Sequence, residues 1–291
     1  MWQAVEEKNS RVCLGLDPRL ERIPPFVCRE ADGPGACLLA FNQRIIEAAA
    51  EHAVVAKPQV AFYEMYGPPG MAAFAETVRC AKEHGLIVIA DVKRGDIGST
   101  AAAYARAYLG PSGEQGAAFD VDAVTLNPYL GSDSVEPFLA EVEASGKGLF
   151  VLVKTSNKSS AEIQDLEVAG QPVYQHVAGL VARWAERLPG ERGYSGVGAV
   201  VGATFPEQAA ELRQVLPGVP FLLPGYGAQG ASAEDVACCF DEQGYGAVVN
   251  SSRGIIFAYE GAQWEDRQFA EAAAEAARRM KEEINEAIRP G

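Results

Sequence analysis

The chain has 291 residues, of which 48% are hydrophobic, and this is enough to bury a large core in one or two domains. Its formal net charge is −14, because 39 Asp and Glu outnumber 25 Lys and Arg, and no basic stripe offsets this field. A general nucleic-acid partner is therefore not expected. An anionic ligand has to be bound by a few local cations or by backbone N–H groups.

The N-terminal stretch MWQAVEEKNS lacks the basic and apolar regions of a signal peptide. No apolar run approaches the roughly 20 residues that a membrane-spanning helix needs. The sequence thus predicts a cytoplasmic protein without a membrane partner. In that compartment scattered cysteines without a C-x-x-C pair favour reduced thiols and no metal site. The cysteines are Cys13, Cys28, Cys37, Cys80, Cys238 and Cys239.

Eight short apolar runs alternate with segments of helical period, as in a parallel sheet. The runs are RVCLGLD (11–17), VVAKPQ (54–59), LIVIADV (86–92), AVTLN (123–127), LFVLVKT (149–155), VGAVVGA (197–203), PFLLPG (220–225) and GAVVNSS (246–252). Helical segments include ACLLAFNQRIIEAAAEH, MAAFAETVRCAKEHG, AAELRQVL and the C-terminal QFAEAAAEAARRMKEEINEAI.

Eight strand–helix units predict an α/β fold, a (β/α)8 TIM barrel that forms a single domain over residues 1–291. An open doubly wound sheet is the alternative. Residues 19–35 form a long first connection with room for a short extra helix.

Charged residues at the ends of the first two predicted strands are candidates for an active site, because barrel enzymes carry it at the carboxyl ends of their strands. Lys57 lies late in the apolar run of VVAKPQVAFYE, and Asp17 ends CLGLDP. A buried lysine needs an acidic partner to offset its desolvation. Taken alone, either residue fits a structural ion pair equally well.

The third predicted strand ends in ADVKRGD, which holds Asp91, Lys93 and Asp96. The strand period of two predicts Asp91 and Lys93 on one face, with Asp96 in the loop that follows. A lysine between carboxylates stays protonated, which makes it a suitable proton donor to a carbanion. A carboxylate beside the substrate's own carboxylate destabilises the bound ground state. The pattern indicates cofactor-free carbanion chemistry, and decarboxylation fits it best.

The stretch PGYGAQG contains G-x-G-x-x-G over residues 225–230. A dinucleotide fingerprint follows the first strand of a βαβ pair, whereas this motif follows the seventh predicted strand. Barrel loops after strands seven and eight commonly bind phosphate through backbone N–H groups. Gln229 would add an amide donor, and Arg253 with the Gly254 N–H follows the eighth strand. A surface ion pair is the alternative for Arg253.

The D-x-K-x-x-D motif of Asp91, Lys93 and Asp96 resembles the signature of the orotidine 5′-phosphate decarboxylase family, most closely its longer bacterial form. The likeness extends over nearly the whole chain, through GLDP, KPQVAFYE, ADVKRGDIGST, VKTSN, PGYGAQG and NSSRGI. The resemblance implies an enzyme without a cofactor or metal that converts orotidine 5′-monophosphate to uridine 5′-monophosphate, the last step of pyrimidine synthesis.

The resemblance also implies roles for individual residues. Lys93 would protonate C6 of the pyrimidine, with Asp91 beside the departing carboxylate. Lys57 would bind the ribose and hold Asp91. Asp96 and Thr100 would come from the neighbouring subunit of a homodimer. Further substrate contacts are implied for Asp17, Ile97, Ser156, Asn157, Pro224, Gln229, Arg253 and Gly254.

Three questions stay open at the level of sequence. Ser156 matches the residue that contacts the pyrimidine edge in the family, but the neighbouring Asn157 is an alternative. Mg²⁺-dependent sugar-phosphate decarboxylases and aldolases of the same barrel family share the motif, although they need an acidic metal ligand where this chain has Lys57. The third alternative is a barrel that binds a nucleotide without catalysis, and no motif distinguishes such a protein from an enzyme.

Overall fold

The computed structural model describes residues 1–111, 117–227 and 229–289, so that Ala228 of the PGYGAQG motif lies outside these ranges. Within them, eight parallel strands form a closed barrel, in the order β1-β8-β7-β6-β5-β4-β3-β2. The strands are β1 (Val12–Leu16), β2 (Val55–Pro58), β3 (Ile87–Arg94), β4 (Ala123–Leu126), β5 (Gly148–Lys154), β6 (Val197–Val201), β7 (Phe221–Pro224) and β8 (Ala247–Ser251). The predicted TIM barrel is confirmed, and the open sheet is wrong.

Helices precede, separate and follow these strands. They are α1 (Trp2–Lys8), α2 (Pro25–Arg29), α3 (Gly33–Ala49), α4 (Ala61–Glu64), α5 (Gly67–Glu83), α6 (Gly98–Leu109), α7 (Ser132–Ser145), α8 (Ala161–Gln164), α9 (Val173–Glu186), α10 (Pro206–Val215), α11 (Ala233–Ala237), α12 (Arg253–Ile256) and α13 (Phe269–Ala287). Among the helices of the described ranges, none combines the length and the hydropathy required to traverse a bilayer.

Five of the strands, β1, β2, β4, β6 and β8, are buried along their whole length. Parallel strands covered on both faces have this property, and it explains why continuous apolar runs predict them. The pairing of β1 with β2 places Gly15 opposite Lys57. Lys57 is the last residue but one of β2, so it lies at the carboxyl end of this strand, among buried residues.

The described residues group into two compact units. The first unit consists mainly of Gln3–Val92 and Asn250–Asn285, and the second unit mainly of Lys93–Val249. Strands β1 and β2 belong to the first unit and β4 to β7 to the second, while the residues of β3 and β8 are divided between them.

Each unit has its own buried aromatic side chains. In the first unit, the ring of Phe41 stacks on those of Phe257 and Phe269, with centroid distances of 5.8 and 5.1 Å. In the second unit, Phe138 and Phe221 are fully buried. Burial of such rings is a large favourable contribution to folding.

The first connection, residues 19–35, contains a 3-10 turn at Leu20–Arg22 and the short helix α2. Cys28 in α2 and Cys37 in α3 form a disulfide across the turn between the two helices, with Cα atoms 4.8 Å apart. The prediction of reduced thiols is therefore wrong for this pair. Spacing rules miss it because the turn between two helices, and not a C-x-x-C loop, brings the two side chains within bonding distance. Of the described cysteines, the free ones are Cys13, Cys80, Cys238 and Cys239.

Candidate active site

A buried ion pair joins the ends of β2 and β3. The ammonium Nζ of Lys57 lies 2.9 Å from Oδ2 of Asp91, and both side chains are buried. The side-chain amide of Gln59 donates to the same oxygen, also at 2.9 Å. Asp91 is thus the acidic partner that desolvation requires for Lys57. Motif reasoning misses Gln59, although it stands two residues after Lys57, the spacing that places two strand residues on one face.

The surroundings of Lys57 fix its charge state. Burial by itself lowers the pKa of a lysine, but the carboxylates of Asp91 and Asp17 outweigh burial and raise the pKa of Lys57 above its ordinary value. Burial also raises the pKa of the nearby Cys13 thiol to about 12, so that this thiol is a poor nucleophile at neutral pH. A cationic lysine therefore lies among carboxylates in this part of the first unit.

The ends of β1 and β8 approach so closely that no side chain fits at Gly15. A Cβ atom on Gly15 would lie 1.9 Å from Oγ of Ser252 and 2.9 Å from Oδ1 of Asn250. Arg253, the first residue of α12, follows directly, and both Arg253 and Gly254 are exposed. The eighth strand therefore delivers these two candidate phosphate ligands next to the end of the first strand.

Lys93 has a backbone conformation that the strand pattern does not predict. Its φ of 45° lies in the left-handed region, and its side chain is exposed. The backbone N–H of Lys93 donates to Oγ1 of Thr125 in β4, at 3.0 Å. A left-handed φ costs a residue with a Cβ atom roughly 1–2 kcal/mol. The alternation argument that places Asp91 and Lys93 on one face does not hold at Lys93, because it requires extended backbone at both residues.

Of the candidates after β3, Asp96 lies in the loop that leads into α6, as predicted, whereas Ile97 directly precedes the helix and Thr100 is in its first turn. Oδ1 of Asp96 accepts a hydrogen bond from the backbone N–H of Ile97, at 2.8 Å. Asp96 is half-buried, whereas the side chains of Ile97 and Thr100 are exposed. These three residues are therefore accessible at the start of a helix that begins at Gly98.

Ser156 and Asn157 follow β5 and are held by hydrogen bonds. The hydroxyl of Thr204 donates to the backbone oxygen of Ser156, at 3.2 Å, and that of Thr155 donates to Oδ1 of Asn157, at 2.6 Å. A Cβ atom on Gly202 would lie 2.8 Å from both the nitrogen and the Cα of Ser156. Glycine at position 202 therefore lets the end of β6 approach the Ser156 backbone.

The glycine-rich loop after β7 lies next to Ser156. The N–H of Gly230 donates to the oxygen of Gly227 at 2.8 Å, which closes the loop into a turn. A Cβ atom on Gly225, whose φ is 111°, would lie 3.3 Å from Cβ of Ser156 and 3.5 Å from Oε1 of Gln229. Ser156 and Gln229 therefore both lie close to Gly225.

The structure thus gathers the predicted candidates within each unit. In the first unit, Asp17, Lys57 and Asp91 interact, and Arg253 and Gly254 follow β8. The second unit contains Lys93, Asp96, Ile97, Thr100, Ser156, Asn157, Pro224 and Gln229. All lie at or just after the carboxyl ends of strands, where barrel enzymes carry their active sites. Within the described ranges, no three His, Cys, Asp or Glu side chains are grouped as metal ligands. With these features, the protein belongs to the class of (β/α)8 barrel enzymes.

Comparisons with known proteins identify the family. Residues 10–265 match the model of the Orotidine 5′-phosphate decarboxylase / HUMPS family. The chain is 47% identical over 262 residues to an orotidine 5′-phosphate decarboxylase of Rhodopirellula baltica, covering 88% of this chain and 87% of the relative. Its identity to a Clostridium perfringens enzyme of the same name is 43% over 283 residues, or 97% and 96% of the two chains.

A solved structure agrees with this assignment. Leishmania donovani OMP decarboxylase has a TM-score of 0.75 and 33% sequence identity to this chain, and the match covers 98% of this chain and 97% of that one. The chain therefore belongs to the Orotidine 5′-phosphate decarboxylase / HUMPS family.

Proposed function

We propose that this protein is an orotidine 5′-phosphate decarboxylase, which converts orotidine 5′-monophosphate to uridine 5′-monophosphate in the last step of de novo pyrimidine synthesis. Family membership and relatives of that name over nearly the full chain support this activity. The observation that carries it is the buried pair of Lys57 and Asp91, with Lys93 two residues further along β3.

The proposed reaction breaks the bond between C6 of the pyrimidine and its carboxylate. Carbon dioxide leaves, the electron pair remains on C6, and a proton from the ammonium of Lys93 completes the product. Asp91 lies beside the departing carboxylate, where its charge disfavours the bound ground state relative to the transition state. The ammonium of Lys57 holds Asp91 and, with Asp17, contacts the ribose. The step uses no cofactor.

The remaining candidates bind the substrate in this proposal. Gln229, Arg253 and the Gly254 N–H hold the phosphate, since a side-chain amide, an exposed arginine and a backbone N–H suit an oxyanion. Contacts to the pyrimidine come from Ser156, Asn157 and Pro224. The closeness of both Ser156 and Gln229 to Gly225 supports a shared ligand for the loops after β5 and β7.

A homodimer completes the proposal, with Asp96 and Thr100 serving the partner's site. The loops after β3 and β4 adjoin, since the N–H of Asn127 donates to the oxygen of Arg94 at 2.9 Å. These loops present apolar side chains that are at least half exposed: Ile97, Tyr129 and Leu130. Exposed apolar side chains on adjoining loops favour a protein interface. The predicted cytoplasmic location stays a prediction.

The direct test is to add purified protein to orotidine 5′-monophosphate and follow the loss of its ultraviolet absorbance. We expect the wild-type protein to remove this absorbance catalytically without added metal. The Lys93→Ala variant should leave the absorbance unchanged. Product chromatography should show uridine 5′-monophosphate. Activity that appears only with Mg²⁺ and a sugar phosphate would identify the Mg²⁺-dependent relative instead. Nucleotide binding without turnover would identify a non-catalytic barrel, and either result would contradict the proposal.

A further inference from the structure

Lys154, the last residue of β5, is a lysine whose charge is completely buried. Its side chain has no exposed surface, and its Nζ lies 2.5 Å from Oδ1 of Asp165 and 3.2 Å from Oγ of Ser160. The ammonium also lies 4.6 Å from the centre of the Phe205 ring. Removing a lysine from water carries a large desolvation penalty, so a buried ion pair is weak support for stability. A role in fixing one local geometry accounts better for its presence.

The ion pair closes the connection that follows β5. Lys154 stands at the start of this segment and Asp165 eleven positions later. Gln164, beside Asp165, accepts the backbone N–H of Thr155 at 2.9 Å and donates to the Thr155 hydroxyl at 2.8 Å. That hydroxyl in turn donates to Asn157. Both ends of the segment are thus fastened to each other, and Ser156 and Asn157 lie inside the fastened loop.

We propose that Lys154 is a positioning residue for the decarboxylation: its ion pair with Asp165 holds Ser156 and Asn157 in the geometry that binds the pyrimidine. This inference rests on the proposed roles of Ser156 and Asn157. A binding residue held by a buried network loses little conformational freedom when substrate arrives, and small displacements of such residues are costly. Without the ion pair, only a fraction of molecules holds the loop in the competent geometry, and apparent affinity falls by that fraction.

Lys154→Met removes the charge and keeps the length of the side chain. We expect kcat/KM for orotidine 5′-monophosphate to fall about tenfold, mainly through a higher KM. The matched control is Lys147→Met. Lys147 precedes β5 at its other end and has a similar ion pair, with its Nζ 2.8 Å from Oδ1 of Asp120. We expect this control to change kcat/KM by less than twofold.

A double-mutant cycle separates positioning from general stability. If Lys154 acts through Ser156, then Ser156→Ala should cost much less in the Lys154→Met background than in the wild type, because the two losses are coupled. Fully multiplicative losses would mean that Lys154 is only structural, and would overturn the inference. Should Lys154→Met fail to fold, Asp165→Asn, which alters the partially exposed partner, should give the same coupling.

The roles on which the inference rests are tested in the same experiment. If Ser156→Ala and Asn157→Ala both keep the kcat/KM of the wild type, the proposed pyrimidine contacts are wrong. The inference that rests on them is then wrong as well. Multiplicative losses in the cycle, with impaired single variants, would instead overturn the role of Lys154 alone. Circular dichroism and the thermal midpoint of each variant show that the compared proteins are folded.

Discussion

Asp91 and Lys93 are separated by one residue, yet they differ in burial and in backbone conformation. Asp91 is buried and accepts hydrogen bonds from Lys57 and Gln59. Lys93 is exposed, and its φ of 45° is strained for a residue with a side chain. Strain of this kind persists where surrounding contacts impose it, and it is commonly found at functional positions. The proposed proton donor thus stands at the strained position, two residues after a fixed carboxylate in the sequence.

Lys93→Ala should abolish decarboxylation and leave the fold intact. The residue is exposed and is proposed to act in the transition state, so kcat should fall by at least about a hundredfold, as expected for loss of a general acid. Binding of a product analogue should decrease much less than turnover. The measurements are single-turnover kinetics and calorimetric titration. A variant that keeps a tenth of the wild-type kcat would show that Lys93 is not the proton donor.

Arg253→Ala should remove the advantage that the substrate phosphate gives. Binding energy from a remote phosphate contributes to the chemical step, so loss of its ligand should lower kcat/KM for orotidine 5′-monophosphate strongly. The rate with the unphosphorylated nucleoside, orotidine, should hardly change. Comparing kcat/KM of both substrates for wild type and variant checks this. Equal losses for the two substrates would contradict phosphate binding by Arg253.

At the scale of elements, the sequence predicts each strand of the barrel, because strands buried on both faces are continuously apolar. It also predicts an acidic partner for Lys57, since desolvation leaves few alternatives. Side-chain pairing over long separations has no such signal. Periodicity and motifs therefore miss the contact of Gln59 with Asp91, the left-handed φ of Lys93 and the closure of the β5 connection by Lys154.

The disulfide between α2 and α3 determines how many thiols of the chain are free to react in denaturant. Of six cysteines, Cys28 and Cys37 are bonded, which leaves four free thiols in the described chain. We therefore expect a thiol reagent to titrate four groups per chain in denaturant without reductant, and six after reduction. Cys238→Ser is the control, and should lower both counts by one. Six thiols without prior reduction would contradict the bond.

At the scale of the whole molecule, the buried Cys13 thiol couples stability to pH. Its pKa is raised to about 12 in the folded protein, mainly by burial, against an ordinary value of 9.0. Above pH 9 the folded state thus holds a proton that the unfolded state has released. The free energy of unfolding therefore decreases as the pH rises, by up to about 1.4 kcal/mol per pH unit for one proton.

Cys13→Ala should lower this dependence. The range from pH 9 to 10.5 is suitable because it does not exceed the ordinary pKa of Lys57, so that over most of it this lysine is mainly protonated in both states. In this range the free energy of unfolding of the variant should decrease less steeply than that of the wild type, by about 1 kcal/mol per pH unit. Urea unfolding at several pH values measures both slopes. Parallel pH profiles for the two proteins would mean that the thiol does not stay protonated in the folded state.

The proposed dimer makes a prediction about mixed assemblies. Lys93→Ala and Asp96→Asn should each be inactive alone, but should regain activity when unfolded and refolded together. In a mixed dimer, one site carries both defects, and the other has an intact Lys93 from one chain and an intact Asp96 from its partner. Random assembly makes about half of the dimers mixed, so activity should reach about a quarter of wild type.

A mixture shown to contain mixed dimers provides the decisive control for this experiment. If Asp96 acts within its own chain, every site in the mixture has one defect, and no activity returns. That outcome would contradict the shared site while leaving the decarboxylase activity itself untouched. Differently tagged chains, purified on both tags in turn, isolate the mixed dimer for the measurement.

The first unit is assembled mainly from two separate segments, Gln3–Val92 and Asn250–Asn285, whereas the second consists mainly of one continuous segment, Lys93–Val249. A ribosome makes the chain from its N-terminus, and domains generally fold as units during synthesis. The second unit has all its main residues once Val249 has been added, but the first has to wait for the C-terminal segment that brings Arg253. Residues Gln3–Val92 therefore leave the ribosome before the second unit, yet they find their complete set of native neighbours only after it.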